Sequence, residues 1–400
     1  MLINDSASTV IPAQQIAGIT AEAHHRRYII PVKQHQGGTM TTTMTAVARP
    51  QYTHVELLTL NGPEYRRVST APPRPPSDDE IPVIDLVGID GDLDARTVIA
   101  GKIRAAAQNT GFFYIKNHGI SEDLIASALT QAKAFFHQTE EEKEKVSNFK
   151  LLHMDGYHAV GTTQVNKSET KDRKETFSLR YNARNDPSTG PDTPEARIWD
   201  DSPLWAGTAH LPTFREITIS FWQARLALAR KLVRIFALAL DLSEDYFDSV
   251  VTHPGADGLY IHYPGIPEPE LKGESIDVGI GSHTDIQCFT LLWQDMSGGL
   301  QVLSSSDEWL DARPIPGTLV VNFLQRLSNN RFRSTVHRVY NRQSASRYSM
   351  PFFFGFNPET VCQVVPSCVD EEHPALYEPI SCGKWHRDRL ALAQGKLATA

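Results

Sequence analysis

Short apolar segments separated by turn-forming residues dominate the chain from Gly258 onward. The segments are rich in β-branched and aromatic residues, and sequences such as Gly298-Gly299 and Asn329-Asn330 mark turns between them. Many short strands at regular spacing are typical of a β-sandwich or a double-sheet jelly roll, in which two packed sheets protect the strand edges. The pattern predicts strands over residues 259–263, 276–280, 288–294, 300–303, 319–323, 334–341 and 348–356.

Apolar residues at helical spacing predict helices before and after this region. The longest predicted helix covers 214–240, where Phe214, Phe221 and Leu228 belong to one apolar stripe. Shorter periodic segments predict helices over 95–109 and from Ser121 onward, and a surface helix over 384–397. Further strands are predicted over 81–86, 111–119 and 174–181. The expected fold class is therefore mainly β with flanking helices.

Residues 1–80 are predicted to be a weakly structured extension that ends in a proline-rich, then acidic, linker over 71–80. Because nothing in 1–70 has the pattern of a core element, we expect its deletion to leave the fold intact. Met40 and Met44 leave open whether residues 1–43 belong to the mature protein. The remaining chain is divided into a helix-and-strand region (81–212), the long helix with the strand-rich core (213–385) and a C-terminal helix or tail (386–400).

Charge and cysteine content indicate which class of partner and which cellular compartment to expect. The formal net charge of −8 over 400 residues argues against nucleic acid, which needs a basic surface. The four cysteines have no CxxC spacing and predict reduced thiols in a cytoplasmic protein rather than a disulfide scaffold. The sequence contains no run of eighteen or more apolar residues, so no membrane span is expected. A small organic molecule is the expected partner, and the oligomeric state is left open.

The stretch from Gly281 to Ile286 contains the first candidate site. His283 and Asp285 are two residues apart, so an extended strand would place both side chains on one face. Together with a distant His337 they would form a triad of two histidines and one carboxylate, which leaves coordination positions open and suits Fe(II) that binds O2. The alternative is an ordinary turn in which Asp285 bonds only to the backbone.

Arg347 and Ser349 form a second candidate site downstream. They are also two residues apart, so a guanidinium and a hydroxyl would point the same way and could bind a carboxylate. The phenol of Tyr263 could approach the same anion from the opposite sheet. The alternative for Arg347 is a surface salt bridge worth at most about 1 kcal/mol.

From Ile81 to Trp385 the chain resembles the isopenicillin N synthase-like family of Fe(II)/2-oxoglutarate-dependent dioxygenases. The resemblance lies in residues 81–86 and 111–119, in His283-Thr-Asp285, in Val321-Asn-Phe323 with 329–339, and in Arg347-Tyr-Ser349. It implies a double-stranded β-helix (jelly-roll) core braced by the long helix, iron on His283, Asp285 and His337, and the 2-oxoglutarate C5 carboxylate on Arg347 and Ser349. Tyr263 matches a family tyrosine that contacts this co-substrate.

The chain departs from plant-type members at Ile261, where an asparagine is usual, and residues 166–177 look more like fungal and bacterial members that act in specialised metabolism. The resemblance implies decarboxylation of 2-oxoglutarate to succinate, coupled to hydroxylation, desaturation or ring closure of the organic substrate. Two other functions stay open. The first is an iron oxidase like isopenicillin N synthase, which consumes no 2-oxoglutarate, and the second is a non-catalytic jelly roll that senses a ligand.

Overall fold

The described chain contains all but one of its α-helices before residue 272 and continues mainly as strands after it. The structure is a computed structural model that describes residues 28–32, 43–47, 51–151, 154–190, 193–271, 278–323, 325–341 and 343–393. The first elements are β1 (Tyr28–Val32), β2 (Thr43–Val47), β3 (Tyr52–Thr59), β4 (Gly62–Ser69), β5 (Val83–Asp85), α1 (Leu93–Asn109), β6 (Phe112–Lys116), α2 (Glu122–Phe136) and α3 (Glu140–Glu144). The central elements are β7 (Gly156–His158), β8 (Glu175–Leu179), α4 (Ser202–Gly207), α5 (Phe214–Ala239), β9 (Gly255–Tyr263) and α6 (Glu268–Leu271). The last elements are β10 (Ile280–His283), β11 (Phe289–Gln294), β12 (Leu300–Leu303), β13 (Trp309–Asp311), β14 (Thr318–Phe323), β15 (His337–Val339), β16 (Arg347–Gly355), β17 (Val361–Cys362), β18 (Ile380–Ser381) and α7 (Cys382–Ala393).

Two sheets face each other and form a jelly roll. The larger has the order β5-β6-β14-β11-β16-β9-β8-β7, and the smaller the order β10-β15-β12-β13. Their strands are antiparallel except for the parallel pair β5–β6. A buried cluster that includes Tyr114, Ile261, Leu300, Val302 and Val320 draws its members from both sheets. The predicted mainly β fold with a jelly-roll core is confirmed.

Helix α5 braces the large sheet, as predicted. Its Phe236 ring packs edge to face against Phe289 of β11 and Phe323 of β14, with centroid distances of 4.8 and 4.3 Å. The Trp222 indole donates to the Ala256 carbonyl at 3.1 Å, which fixes the helix to β9. The sheet therefore has a rigid backing on one side, and its other face is available for a site.

Most predicted elements occur, and their ends depend on local capping. Asp92 accepts from the Ala95 amide and starts α1 two residues before the predicted 95–109, while Ser121 caps α2 as expected. The strand predicted over 276–280 begins only at Ile280, with residues 276 and 277 outside the described part. The strand predicted over 334–341 shortens to β15.

The hairpin β3–β4 corrects the prediction that residues 1–80 are weakly structured. Val55, Leu57 and Val68 are buried against Leu303, Trp309 and Val336 of the core. Val55 and Leu57 alternate with Glu56 along β3, and Gly62 takes φ +105° where β4 begins. A lone hairpin is marginal in water, so this one depends on contacts far away in the sequence. The expectation that nothing in 1–70 resembles a core element is wrong.

The proline-rich segment is also attached to the core. The Arg74 amide donates to the Trp309 carbonyl at 3.0 Å, and its guanidinium bonds to Glu80 and Glu308. Arg74 therefore fixes the proline-rich segment to β13, so the segment is not only a spacer. Predictions for residues 1–27, 33–42 and 48–50 fall outside the described residues. Within the described part, no helix has the length and apolar character needed to cross a membrane.

The hairpin leads to a stability prediction. Leu57→Ala should lower the free energy of unfolding by about 2 kcal/mol or more, because it removes buried methyl groups and leaves a cavity under Trp309. Thr53→Ala, at an exposed position of the same strand, should change it by less than about 0.5 kcal/mol. Urea unfolding followed by tryptophan fluorescence measures both. Equal stability of the two variants would contradict the docked hairpin.

Candidate active site

His283 and His337 are brought together by strand pairing. They are register partners on the antiparallel strands β10 and β15, and their ring centroids lie 4.2 Å apart. Each Nδ1 contacts a backbone carbonyl oxygen, that of Gly281 at 2.8 Å and that of Thr335 at 3.0 Å. This fixes the tautomer and leaves both Nε2 atoms free to bind a metal ion.

Asp285 lies beyond the end of β10, not on the strand as predicted. Its Oδ1 is nevertheless 3.7 Å from Nε2 of His283 and 3.6 Å from Nε2 of His337. Its Oδ2 accepts hydrogen bonds from Thr290 Oγ1 at 2.5 Å and Asn322 Nδ2 at 2.8 Å. These two donors are register partners on β11 and β14. One carboxylate oxygen is therefore held by the protein, and the other faces the imidazoles.

The electrostatics of the triad suit a divalent cation. Burial, together with the neighbouring His337, lowers the pKa of His283 to about 4. Burial alone would raise the pKa of Asp285, but the two imidazoles lower it below its ordinary value. Burial opposes charge on His337, yet the Asp285 carboxylate raises its pKa. Asp285 is therefore held ionised and His283 neutral, which are the forms that metal ions bind, whereas a metal ion would have to displace the proton that Asp285 favours on His337.

The three side chains can hold one metal ion. One ligand atom from each lies within 4.8 Å of the others, and this is the one such histidine, cysteine and carboxylate group in the described part of the chain. Two imidazoles and one carboxylate with open positions are the ligand set of non-haem Fe(II) sites that activate O2. The residues thus fit the metal that the sequence predicted.

The loop before β8 holds β10, the strand that carries His283, in place. Glu169 accepts from both the amide and the hydroxyl of Ser282, and the Gly281 amide donates to buried Asp172 at 3.3 Å. A Cβ atom at Gly281 would lie 2.7 Å from the Glu169 carboxylate, so the loop can approach this closely only because residue 281 is glycine. The strand that carries His283 is fixed on both sides.

Arg347 is fully buried, and one of its guanidinium nitrogens has no hydrogen-bond partner among the described residues. Its Nε donates to the Gly298 carbonyl at 2.6 Å and its Nη2 to Gln294 Oε1 at 3.0 Å. Its Nη1 is buried without a hydrogen-bond partner among the described residues. An unpaired buried donor is costly, so this atom fits an acceptor supplied by a ligand. The surface salt bridge considered for Arg347 is wrong.

Ser349 and Tyr263 lie beside Arg347, but Tyr263 is not on the opposite sheet. Arg347 and Ser349 share one face of β16, and Tyr263 is the register partner of Arg347 on the neighbouring strand β9. The guanidinium carbon lies 4.7 Å from the Tyr263 ring centroid, so the ring stacks on the cation. This corrects the predicted approach from the second sheet.

Comparisons with known proteins decide the family. A family model described as non-haem dioxygenase in morphine synthesis N-terminal matches residues 81–202, and that of the 2OG-Fe(II) oxygenase superfamily matches residues 253–356. The 2-oxoglutarate-Fe(II) type oxidoreductase ppzC of Metarhizium majus is 40% identical over 368 residues, a match that covers 88% of this chain and 97% of that protein. The chain belongs to the 2OG-Fe(II) oxygenase superfamily.

Other relatives agree with this result. The crystal structure of a full-length Neurospora crassa protein in complex with alpha-KG and thymine has a TM-score of 0.66 at 29% identity, covering 79% of this chain and 98% of that chain. Kihadalactone A synthase LFS of Citrus sinensis is 30% identical, covering 78% of this chain and 93% of that protein. The protein is an oxygenase that uses Fe(II), 2-oxoglutarate and O2, as predicted, and the oxidase and sensor alternatives are not favoured.

A cavity of about 260 Å³ adjoins the triad of the oxygenase. Asp257, Leu259 and Ile261, on one face of β9, line it together with His283 and Asp285. The next residue on this face of β9 is Tyr263 beside Arg347, and neither Arg347 nor Ser349 is part of the cavity wall. The cavity therefore lies beside the triad, and Arg347 and Ser349, here called the Arg347 clamp, lie farther along the same strands.

The cavity wall also uses segments for which no role in the site was predicted. Leu58 of β3 and Val165 and Lys174 of the loop before β8 contribute to it, as do Arg389 and Leu390 of α7. Helix α7 was predicted to lie on the surface over 384–397. It instead closes the cavity over Cys382–Ala393, and residues 394–400 lie outside the described part.

Sequence reasoning missed the residues that orient the ligands. Thr290, Gln294 and Asn322 alternate with core residues on ordinary strands, and only the strand register places them beside Asp285 and Arg347. Asn322 carried a weak signal, since Val321-Asn-Phe323 belongs to the resemblance. No local pattern distinguishes Thr290 or Gln294 from other polar strand residues.

Thr290→Val should weaken Fe(II) binding by about tenfold or more, because Asp285 loses the hydroxyl that orients it and partners of this kind are worth about 10–100-fold. Anaerobic Fe(II) titration measures the affinity. Thr218→Val is the matched control, since Thr218 is a buried threonine on α5 that bonds to Tyr260 away from the triad. An unchanged iron affinity in Thr290→Val would show that Asn322 alone orients the carboxylate.

Proposed function

We propose that His283, Asp285 and His337 bind Fe(II), and that Arg347 and Ser349 bind the C5 carboxylate of 2-oxoglutarate with Tyr263 stacked on the guanidinium. The unpaired Nη1 of Arg347 supports this assignment most directly, because a fully buried cation with a spare donor calls for an anionic acceptor. The metal assignment is supported by the Nε2 atoms of the two histidines, which face Oδ1 of Asp285 at 3.7 and 3.6 Å while their Nδ1 atoms contact backbone carbonyls.

In this proposal the chain's own residues orient the reactants and exclude water. Gln294 and the Gly298 carbonyl hold the Arg347 guanidinium in place before the co-substrate binds. The side chain therefore loses little conformational entropy on binding. Leu259 and Ile261 give the cavity beside the triad an apolar wall. Bound iron supplies the redox chemistry that couples 2-oxoglutarate decarboxylation to oxidation of a C–H bond.

The organic substrate is proposed to be a small molecule that is hydroxylated, desaturated or cyclised in specialised metabolism. The cavity volume of about 260 Å³ supports a small substrate, because it is slightly below the common range of about 300–1,000 Å³ for ligand pockets. The Neurospora crassa structure holds thymine, and the Citrus sinensis relative is a kihadalactone A synthase. The cytoplasmic location and the boundaries of the four-part division stay predictions, although its first part contains the docked hairpin β3–β4.

Anaerobic Fe(II) titration with and without 2-oxoglutarate, followed by O2 and candidate substrates, tests the function. Mass spectrometry should detect a product that differs from its substrate by one oxygen atom or by two hydrogen atoms. Succinate should appear in step with product. Product formed at the full rate without 2-oxoglutarate would instead support an oxidase that binds the substrate's own carboxylate at Arg347.

A further inference from the structure

We infer that Arg389 binds a carboxylate of the organic substrate, so that the substrate class is small organic acids. This inference rests on the proposed function, because it assigns the ligand of the cavity beside the triad. Arg389 belongs to α7, the helix that closes this cavity, and lines it with Leu390 and Leu392. It would act on specificity, since no hydrogen bond or ion pair among the described residues joins it to the proposed iron ligands or to Arg347 and Ser349.

The charges around the cavity leave one cation uncompensated. Lys174 is paired with Asp172 at 2.9 Å, and Arg180 with Asp257 at 3.0 Å. Arg389 has no carboxylate within 4.0 Å in the part of the chain that the structure describes. The acidic cavity residue Asp285 lies among the proposed iron ligands and is already shared by two imidazoles. Arg389 is thus the cavity cation that has no acidic partner of its own among these residues.

The surroundings of Arg389 neutralise its charge poorly. Its guanidinium carbon lies 5.5 Å from the Trp385 ring centroid, a contact that orients the side chain. Glu64 attracts it only from a distance, and that carboxylate already bonds to Arg66 at 3.0 Å. Burial lowers the pKa of Arg389 below its ordinary value. A half-buried guanidinium in this position offers a fork of donors that matches a carboxylate.

The remaining titratable groups of the cavity do not compete for an anion. Burial lowers the pKa of His158 to about 4 and also lowers that of His386. Both imidazoles are therefore neutral near pH 7. The rest of the wall is mainly apolar, with Leu58, Val165 and Ile286 among its members. Such a wall, with Arg389 as its one cation that has no acidic partner among the described residues, fits a molecule that has an apolar body and one acidic group.

Paired acids and amides test this inference by direct binding. Anaerobic calorimetry uses enzyme loaded with Fe(II) and saturated with 2-oxoglutarate, so that the Arg347 clamp is already filled. The probes are benzoate, pyrrole-2-carboxylate and uracil-5-carboxylate, each with its primary amide, which keeps the shape and removes the charge. We expect at least one acid to bind the wild type about tenfold more tightly than its amide.

Arg389→Gln should abolish this preference by weakening acid binding about tenfold, with amide binding unchanged within about twofold. Arg389→Lys should keep part of it, because the charge remains and the fork is lost. Arg387→Gln, an exposed position of the same helix, is the control with the same charge change and should keep the wild-type preference. If no acid binds more tightly than its amide, or if both lose affinity equally in Arg389→Gln, the inference is wrong.

Titration of 2-oxoglutarate itself into each variant separates this inference from the proposed function. Unchanged 2-oxoglutarate affinity in Arg389→Gln shows that the fold and the clamp are intact. Lack of 2-oxoglutarate binding to the wild type would overturn the co-substrate site, whatever the acid preference. Normal 2-oxoglutarate binding without any acid preference would overturn the role of Arg389 alone.

Discussion

Asp285→Ala is expected to abolish turnover and to weaken Fe(II) binding while the fold stays intact. The variant removes the one anionic ligand of the proposed triad and leaves two imidazoles. Loss of a correctly held metal removes several kcal/mol of stabilisation from the reaction, so succinate release should fall by at least about a thousandfold. Thr290 and Asn322 lose their acceptor, but no buried charge is left unpaired.

Succinate release, anaerobic Fe(II) titration and circular dichroism together test this expectation. Asp311→Ala is the control, because Asp311 is a half-exposed carboxylate on β13 that bonds to Arg313. It should bind iron and turn over like the wild type. His283→Ala and His337→Ala should behave like Asp285→Ala. Turnover of Asp285→Ala at the wild-type rate, without added halide or another anion, would contradict the triad.

The metal triad could be predicted because its chemistry is unusual and two of its members are close in sequence. His283 and Asp285 are two residues apart, and few structural roles require a histidine and an aspartate at that spacing beside a second distant histidine. The prediction of a continuous strand was still wrong, because β10 ends at His283 and Asp285 is held by Thr290 and Asn322 instead. The three ligand residues could be identified from the sequence, but the hydrogen bonds that orient Asp285 could not.

The hairpin β3–β4 shows why some of the fold was missed. Its inward face has only Val55 and Leu57 in β3, which is too little apolar surface to predict a folded segment. Its order comes from Trp309 and Val336, more than two hundred residues away along the chain. Leu58 of the same strand and Arg389 of α7 meet at the cavity for the same reason. Contacts of this kind depend on tertiary packing that no local periodicity contains.

Arg347→Ala is expected to raise the KM for 2-oxoglutarate by at least about thirtyfold. The guanidinium is fully buried, two of its nitrogens are fixed by Gly298 and Gln294, and Nη1 alone lacks a partner in the described residues. Truncating one partner of a buried, hydrogen-bonded charge pair costs about 2–5 kcal/mol, which is about thirtyfold or more in affinity. The intrinsic affinity for the organic substrate should change far less, because Arg347 is not part of the cavity wall.

Steady-state succinate release over a range of 2-oxoglutarate concentrations measures this effect, with product followed in the same samples. Arg347→Lys should recover only part of the affinity, since an ammonium keeps the charge but cannot reach Gln294, Gly298 and the co-substrate as a planar fork. Arg331→Ala removes a half-buried arginine that bonds to Asp241 and the Ser367 carbonyl, and should leave the KM unchanged. An unchanged KM in Arg347→Ala would mean that the spare donor at Nη1 serves the fold, and that another group binds the distal carboxylate.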